Sequence, residues 1–102
     1  QILFLQLVDL KVGLTKDDAV MLNFLKEQDL PFAIVATKAD KLNKTNREKC
    51  IAALHDDANI PDDAVIIPFS SQNGEGKDEL WQIISEFAEF VYTGGNDEEP
   101  EA

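Results

Sequence analysis

Apolar and polar residues alternate along the chain in blocks that predict strands followed by helices. Ile2 to Val8 is continuously apolar except for Gln6, which is typical of a strand covered on both faces. The runs Phe32 to Ala36 and Ala64 to Phe69 also have the length and composition of buried strands. Pro68 cannot donate a hydrogen bond to a neighbouring strand, so we expect the third strand to lie at an edge of the sheet.

Helical patterns follow each of these strands. Thr15 can cap a first helix that extends to about Gln28, and Thr45 with Glu48 forms a capping-box pattern for a second helix. The third helix has the clearest period, with apolar residues at helical spacing: Leu80, Ile83, Ile84, Phe87 and Val91. The alternation predicts a three-layer α/β fold with three parallel strands, three helices and right-handed crossovers.

Polar residues directly follow the second and third strands. The second strand leads into Thr37-Lys38-Ala39-Asp40, and the third leads into Phe69-Ser70-Ser71. Ligands of parallel sheets bind at the carboxyl ends of the strands, so both loops mark one binding edge. The Thr-Lys-x-Asp pattern is similar to the loop with which P-loop GTPases read guanine. One carboxylate, at Asp40, can accept from the ring N1–H and the exocyclic amine together. Adenine lacks this pair of donors, a difference that can discriminate by ~10⁴-fold.

The other residues of the two loops complete this interpretation. The stem of Lys38 can cover the purine face while its ammonium stays in water. Thr37 would brace the loop, and short side chains at Ser70 and Ser71 would let the backbone donate to guanine O6. Phe69 would pack beneath the backbone of Ser70 and Ser71. The predicted guanine-binding residues are therefore Thr37, Lys38, Ala39, Asp40, Phe69, Ser70 and Ser71.

From residue 2 to residue 92 the chain resembles the C-terminal half of the EngB (YihA/YsxC) GTP-binding proteins. Lys11 stands where that family usually has an arginine. The resemblance implies a P-loop GTPase fold, GTP hydrolysis by the parent protein, and a role in assembly of the large ribosomal subunit or, in older usage, of the division septum. The matching motifs are Leu7-Val8-Asp9, Gly13-Leu14-Thr15-Lys16-Asp17-Asp18, Pro31-Phe32, Thr37-Lys38-Ala39-Asp40-Lys41-Leu42, Phe69-Ser70-Ser71, Gly74-Glu75-Gly76 and Glu79-Leu80-Trp81.

The sequence contains no Gly-x-x-x-x-Gly-Lys-[Ser/Thr] phosphate loop and no switch threonine ahead of an Asp-x-x-Gly. Those motifs hold the phosphates and Mg²⁺ in phosphoryl transfer. The resemblance therefore implies GTP or GDP as the ligand, with Mg²⁺ bound by residues of the full-length parent and no catalytic or metal-binding residue in this chain. We expect residues 1–92 to form a partial G domain and residues 93–102 an acidic, disordered tail.

In the intact fold that the resemblance implies, the first strand would pair with the phosphate-loop strand. Without that strand we expect the first strand to expose an unpaired edge, which favours aggregation. Contacts to the base without contacts to the phosphates also leave most of the charge on GTP unmet. We therefore expect the chain alone to be marginally stable and to bind GTP or GDP no more tightly than millimolar, about −4 kcal/mol.

Charge and composition narrow the set of partners. The formal net charge of −11 argues against direct, sequence-specific binding of nucleic acid, which requires basic surfaces. Cys50 is the single cysteine, so the chain has no internal disulfide and fits a reducing cytosol. No apolar run reaches the ~18 residues that a membrane span needs. The family resemblance implies a cytoplasmic protein with a guanine nucleotide and a ribosomal large-subunit precursor as partners.

Two alternatives remain open on the sequence. Asp9 ends a predicted strand and Thr37 ends the next, as in response-regulator receivers, where such an aspartate accepts a phosphoryl group. A receiver also needs a lysine after the third strand, and this chain has Ser70 there. The second alternative is a non-catalytic α/β interaction module without a ligand.

Overall fold

The computed structural model describes residues 2–94. Its strands and α-helices in chain order are β1 (Ile2–Asp9), α1 (Lys16–Glu27), β2 (Phe32–Thr37), α2 (Lys44–Asp56), β3 (Ile66–Pro68), α3 (Lys77–Ile84) and β4 (Glu89–Gly94). A short 3₁₀ helix, Ala39–Lys41, lies between β2 and α2.

The sheet has four strands in the order β3-β2-β1-β4, and every neighbouring pair is parallel. The predicted α/β class, the parallel sheet and the edge position of β3 are confirmed. Proline fits at this edge because its missing N–H costs no hydrogen bond to a further strand.

The helices form two outer layers. On one face of the sheet, Leu80 and Ile84 of α3 pack against Leu3, Leu5 and Leu7 of β1. On the other face, α1 and α2 cover the sheet with buried residues that include Leu22, Leu25 and Leu54. Both faces of β1 are therefore buried, which explains why its sequence is a continuous apolar run.

Gln6 interrupts that run for a structural reason. Its side chain is fully buried, its Nε2 donates to Asp18 Oδ1 at 2.8 Å, and its Oε1 accepts from Thr93 Oγ1 at 2.7 Å. Asp18 also completes a capping box with Thr15 at the start of α1. One amide thus joins β1, α1 and β4, and no buried side-chain polar atom of residues 2–94 lacks a partner.

The C-terminal part of the prediction is wrong. We expected one helix to reach Val91, but α3 ends at Ile84 and residues 89–94 form β4. Phe90 and Tyr92 pack against the apolar cluster that contains Leu80 and Ile84 of α3, while Val91 between them is exposed. Strand pairing with β1 therefore prevails over a helical spacing that the sequence also satisfies.

Two further expectations change with β4. The edge of β1 that we expected to be exposed is paired with β4 over six residues, from Ile2 opposite Glu89 to Leu7 opposite Gly94. The predicted tail at 93–102 begins too early, because Thr93 and Gly94 belong to β4; the rest of it lies outside the described residues.

Helix α2 begins earlier than its capping-box pattern predicts. Asn43 is the N-cap, and its side chain accepts a hydrogen bond from the Asn46 amide at 2.8 Å. Asparagine caps helices at least as well as threonine, so Thr45 lies inside the first turn instead. Within residues 2–94, each helix is too short or too polar to cross a membrane.

Candidate functional site

The two polar loops lie together at the carboxyl ends of β2 and β3. The amide of Phe69 donates to Ala36 O at 2.8 Å, and the amide of Ala39 donates to Phe69 O at 3.0 Å. The strand pairing of β2 and β3 therefore continues past the end of the sheet into the loops. This continuation places Thr37–Asp40 and Phe69–Ser71 side by side.

One side-chain hydrogen bond joins the loops directly. Ser70 Oγ donates to Asp40 Oδ1 at 2.7 Å, across 30 positions of sequence. Ser70 is fully buried, whereas Asp40 is exposed. The bond therefore orients a carboxylate that solvent and a ligand can reach. Bonds from a hydroxyl to a carboxylate are among the stronger neutral-to-charged hydrogen bonds.

Ser70 also organises the loop that contains it. Its hydroxyl oxygen accepts from the amides of Gln72 at 3.2 Å and Asn73 at 3.4 Å. Its backbone carbonyl accepts from Gly74 N at 2.9 Å. Short hydroxyl side chains favour such turns. Ser71, the next residue, is exposed at the rim, and Phe69 is buried in the apolar cluster beneath α3.

The first loop is connected to β1. Thr37 is buried, and its Oγ1 donates to Val8 O at 3.3 Å, while the amide of Leu10 donates to Thr37 O at 3.0 Å. Ala39 is fully buried in the cluster beneath α1 and α2. The backbone on both sides of Lys38 is thus fixed by hydrogen bonds and packing.

Lys38 has a left-handed backbone conformation with φ of 61°. Its Nζ lies 3.4 Å from Asp9 Oδ2, so an ion pair connects the loop after β2 to the end of β1. Asp9 Oδ1 accepts from the amide of Lys11 at 2.9 Å. Each oxygen of Asp9 therefore has a partner within the protein.

Arg47 is a residue whose role the sequence interpretation missed. In the sequence it lies among lysines of α2, and nothing there indicates a specific contact. In the structure it forms a two-point ion pair with Glu75, with Arg47 Nη1 donating to Glu75 Oε1 at 2.7 Å. The two residues are 28 positions apart, and no local pattern indicates their contact. The pair connects α2 to the loop after β3.

Gly76 ends the same loop, at a position where there is no room for a side chain. Its φ is +78°, and a Cβ added there would lie 2.2 Å from Pro68 O. Gly74 has the same φ, but a Cβ at that position would meet nothing within 4 Å. The close approach of backbone to backbone at Gly76 brings the start of α3 against the end of β3.

The site therefore combines an oriented exposed carboxylate, a lysine with a charged partner, and a hydroxyl-ordered turn. Such an arrangement can accept hydrogen bonds from a planar ligand edge and cover its face. In the described part of the chain, no group of three or more His, Cys, Asp or Glu side chains could hold a metal ion.

Comparison with known sequences gives a consistent set of relatives. The chain is 41% identical over 81 residues to a protein of Geobacillus sp. (strain WCH70) named "Probable GTP-binding protein EngB", a match that covers 79% of this chain and 42% of the relative. Proteins of the same name from Listeria monocytogenes serotype 4a (40% over 82 residues) and Exiguobacterium sibiricum (42% over 78 residues) match 80% and 76% of the chain. Those matches cover 42% and 40% of the relatives.

The resemblance expected from the motifs is thus confirmed, and the chain spans about four tenths of the length of these relatives. No family model matches the chain. Among solved structures, apo translation elongation factor SelB from Methanococcus maripaludis aligns with a TM-score of 0.68 and 25% identity, covering 97% of this chain and 21% of that one. The same factor bound to the GTP analogue GppNHp aligns with a TM-score of 0.62 and 30% identity, covering 80% and 19%.

Proposed function

Because the chain is homologous to EngB GTP-binding proteins over 79% of its length, we propose that it is the guanine-recognition part of an EngB-like GTPase. Asp40 accepts from the guanine N1–H and amine, Lys38 covers the base, and Thr37 braces the loop through Val8. Ala39 and Phe69 support the two loops from the core. The backbone at Ser70 and Ser71 donates to guanine O6.

The hydrogen bond from Ser70 to Asp40 is the observation that carries this proposal. A base-reading carboxylate must be held in one orientation before the ligand arrives, because an ordering cost at binding reduces affinity. Here the orienting group comes from the second loop, which the proposal also assigns to the base. The two loops therefore act as one site.

The parent protein's activity is a further part of the proposal. The relatives are named as GTP-binding proteins, so the proposed ligand is GTP, together with GDP, the product of its hydrolysis. Hydrolysis and Mg²⁺ binding are assigned to the parent, since this chain has no phosphate-loop sequence. A cytoplasmic role in assembly of the large ribosomal subunit, with a subunit precursor as partner, rests on the family resemblance, as does the older link to the division septum.

The test uses the chain itself, labelled with ¹⁵N and titrated with GMP, AMP and XMP under one buffer of high ionic strength. GMP is expected to shift the amides of residues 37–40 and 70–71 with a dissociation constant no tighter than millimolar, about −4 kcal/mol. AMP is expected to leave them unshifted over the same range. Equal responses to GMP and AMP, or no response to either, would contradict guanine recognition and favour an interaction module.

Asp40→Asn sharpens this test. An asparagine amide donates where the carboxylate accepts, so it fits the carbonyl that xanthine has in place of the guanine amine. The variant is expected to reverse the preference from GMP to XMP by at least about tenfold, within the range that unpaired polar groups give in binding sites. Asp63→Asn makes the same charge change in the exposed loop before β3 and should keep the GMP preference.

A further inference from the structure

The register of the sheet places Asp9 beside the loop that contains Lys38. Asp9 is paired with Thr37 across the β1–β2 ladder, so the residue after Thr37 starts next to the Asp9 carboxylate. Asp9 Oδ2 lies 3.4 Å from Lys38 Nζ. The Asp9 side chain is 30% exposed and that of Lys38 is 39% exposed, so the pair lies at the surface of the site.

The carboxylate of Asp9 is oriented independently of Lys38. Its Oδ1 accepts from the amides of Lys11 at 2.9 Å and Val12 at 3.4 Å, in the turn that follows β1. The turn itself is closed by the amide of Gly13, which donates to Asp9 O at 2.8 Å. The backbone thus directs Oδ2 toward Lys38 without help from the lysine.

Lys38 starts from a fixed point but has a long, flexible stem. The left-handed backbone conformation of Lys38 is unfavourable for an L-residue. Backbone hydrogen bonds from Leu10 to Thr37 and from Ala39 to Phe69 maintain this conformation. The stem has four rotatable bonds, so a fixed backbone alone does not determine where the ammonium lies. An oriented opposite charge reduces the number of positions that it visits.

We propose that Asp9 is a positioning residue of the nucleotide site: it places the Lys38 side chain over the purine face before the base binds. This inference rests on the proposed function, since it gives Asp9 a role only through the lysine that covers the base. Asp9 itself makes no contact with the ligand. It acts by lowering the entropy that Lys38 loses when the base binds.

The sign of the effect distinguishes positioning from simple electrostatics. Removing a negative charge near the site would, by charge alone, strengthen the binding of the anionic nucleotide GMP. Positioning predicts the opposite result. Asp9→Asn keeps an oxygen that can accept from Lys11 and Val12 but loses the ion pair, so GMP binding should weaken by roughly threefold to fivefold, the size expected of a partly exposed ion pair.

The experiment is a double-mutant cycle on the full chain, with GMP affinity read from the amide shifts of residues 37–40 and 70–71. The variants are Asp9→Asn, Lys38→Met and the double variant, with Asp63→Asn as the control of equal charge change. If Asp9 acts through Lys38, Asp9→Asn should have no further effect in the Lys38→Met background. Thermal unfolding of each variant checks that the fold is retained.

The outcomes separate the two proposals. If wild type shows no preference for GMP over AMP, the proposed function fails and this inference fails with it. If wild type prefers GMP but Asp9→Asn binds it as well or better, the positioning role is wrong and guanine recognition stands. Equal weakening by Asp9→Asn with and without Lys38 would show that Asp9 acts through the loop after β1, which also overturns the inference.

Discussion

The two loops at the end of the sheet are ordered by different means. Residues 37–40 are fixed mainly by backbone hydrogen bonds to both sides, from Leu10 and to Phe69. Residues 69–76 depend on particular side chains and a glycine: the hydroxyl of Ser70, the ion pair of Glu75, and the close backbone approach at Gly76. Substitutions of the exposed side chains in the first loop should therefore have little effect on the stability of the fold. Substitutions in the second loop should affect stability first and binding as a consequence.

Gly76→Ala is expected to cause the largest loss of stability. The new methyl would lie 2.2 Å from Pro68 O, a backbone atom that cannot rotate away, and the positive φ adds strain. We expect a loss of about 3 kcal/mol or more in the free energy of unfolding, measured by urea denaturation.

Gly74→Ala is the matched control for that substitution. It has the same φ of +78° and open space around the added Cβ, so only the backbone strain remains. Its expected cost is about 1 kcal/mol. Equal losses in the two variants would mean that the contact with Pro68 is not what requires glycine.

Ser70→Ala is expected to have the next largest effect. It removes the donor to Asp40 and the oxygen that accepts from Gln72 and Asn73, in a residue that is fully buried. The expected loss in unfolding free energy is about 2 kcal/mol, and GMP binding should weaken because Asp40 loses its orientation. Ser71→Ala, at the exposed neighbouring position, should stay within about 0.5 kcal/mol of wild type. Similar effects of both substitutions would mean that the hydroxyl of Ser70 does not organise the loop.

The ion pair between Arg47 and Glu75 is expected to have the smallest effect on stability. Both side chains are 29% exposed, so Arg47→Met should cost at most about 1 kcal/mol, and less in 1 M salt. The charge-exchanged variant Arg47→Glu with Glu75→Arg should recover part of this loss in urea denaturation. No recovery, together with no salt dependence, would indicate that Arg47 acts through packing of its stem alone.

The N-terminal part of the fold is readable from the sequence because its signals are local. The apolar run of β1 and the Thr15 cap of α1 lie within a few residues of the elements that they specify. The placement of both loops at one end of the sheet follows from the alternation of strands and helices. The guanine contacts assigned to those loops stay a prediction.

The parts that sequence reasoning missed depend on distant contacts. β4 forms because β1 offers an edge with which it can pair. The helical spacing of apolar residues in this part of the sequence is the same whether or not that edge exists: Leu80, Ile83, Ile84, Phe87 and Val91. The ion pair of Arg47 with Glu75 similarly exists only after α2 and the loop after β3 have packed. At the start of α2 the difficulty was local, since Asn43 and Thr45, two positions apart, are both residue types that cap helices.

The hydrogen bonds of β1 to its two neighbours also differ in the length of chain that they close. Thr37 reaches Val8 across 29 positions, whereas Thr93 reaches Gln6 across 87. Because the entropy of loop closure grows with the logarithm of length, the longer closure costs about 1 kcal/mol more. Closing β4 onto β1 is therefore the more costly of the two pairings, and the partly buried hydrogen bond from Thr93 to Gln6 is one of the contacts that offset it.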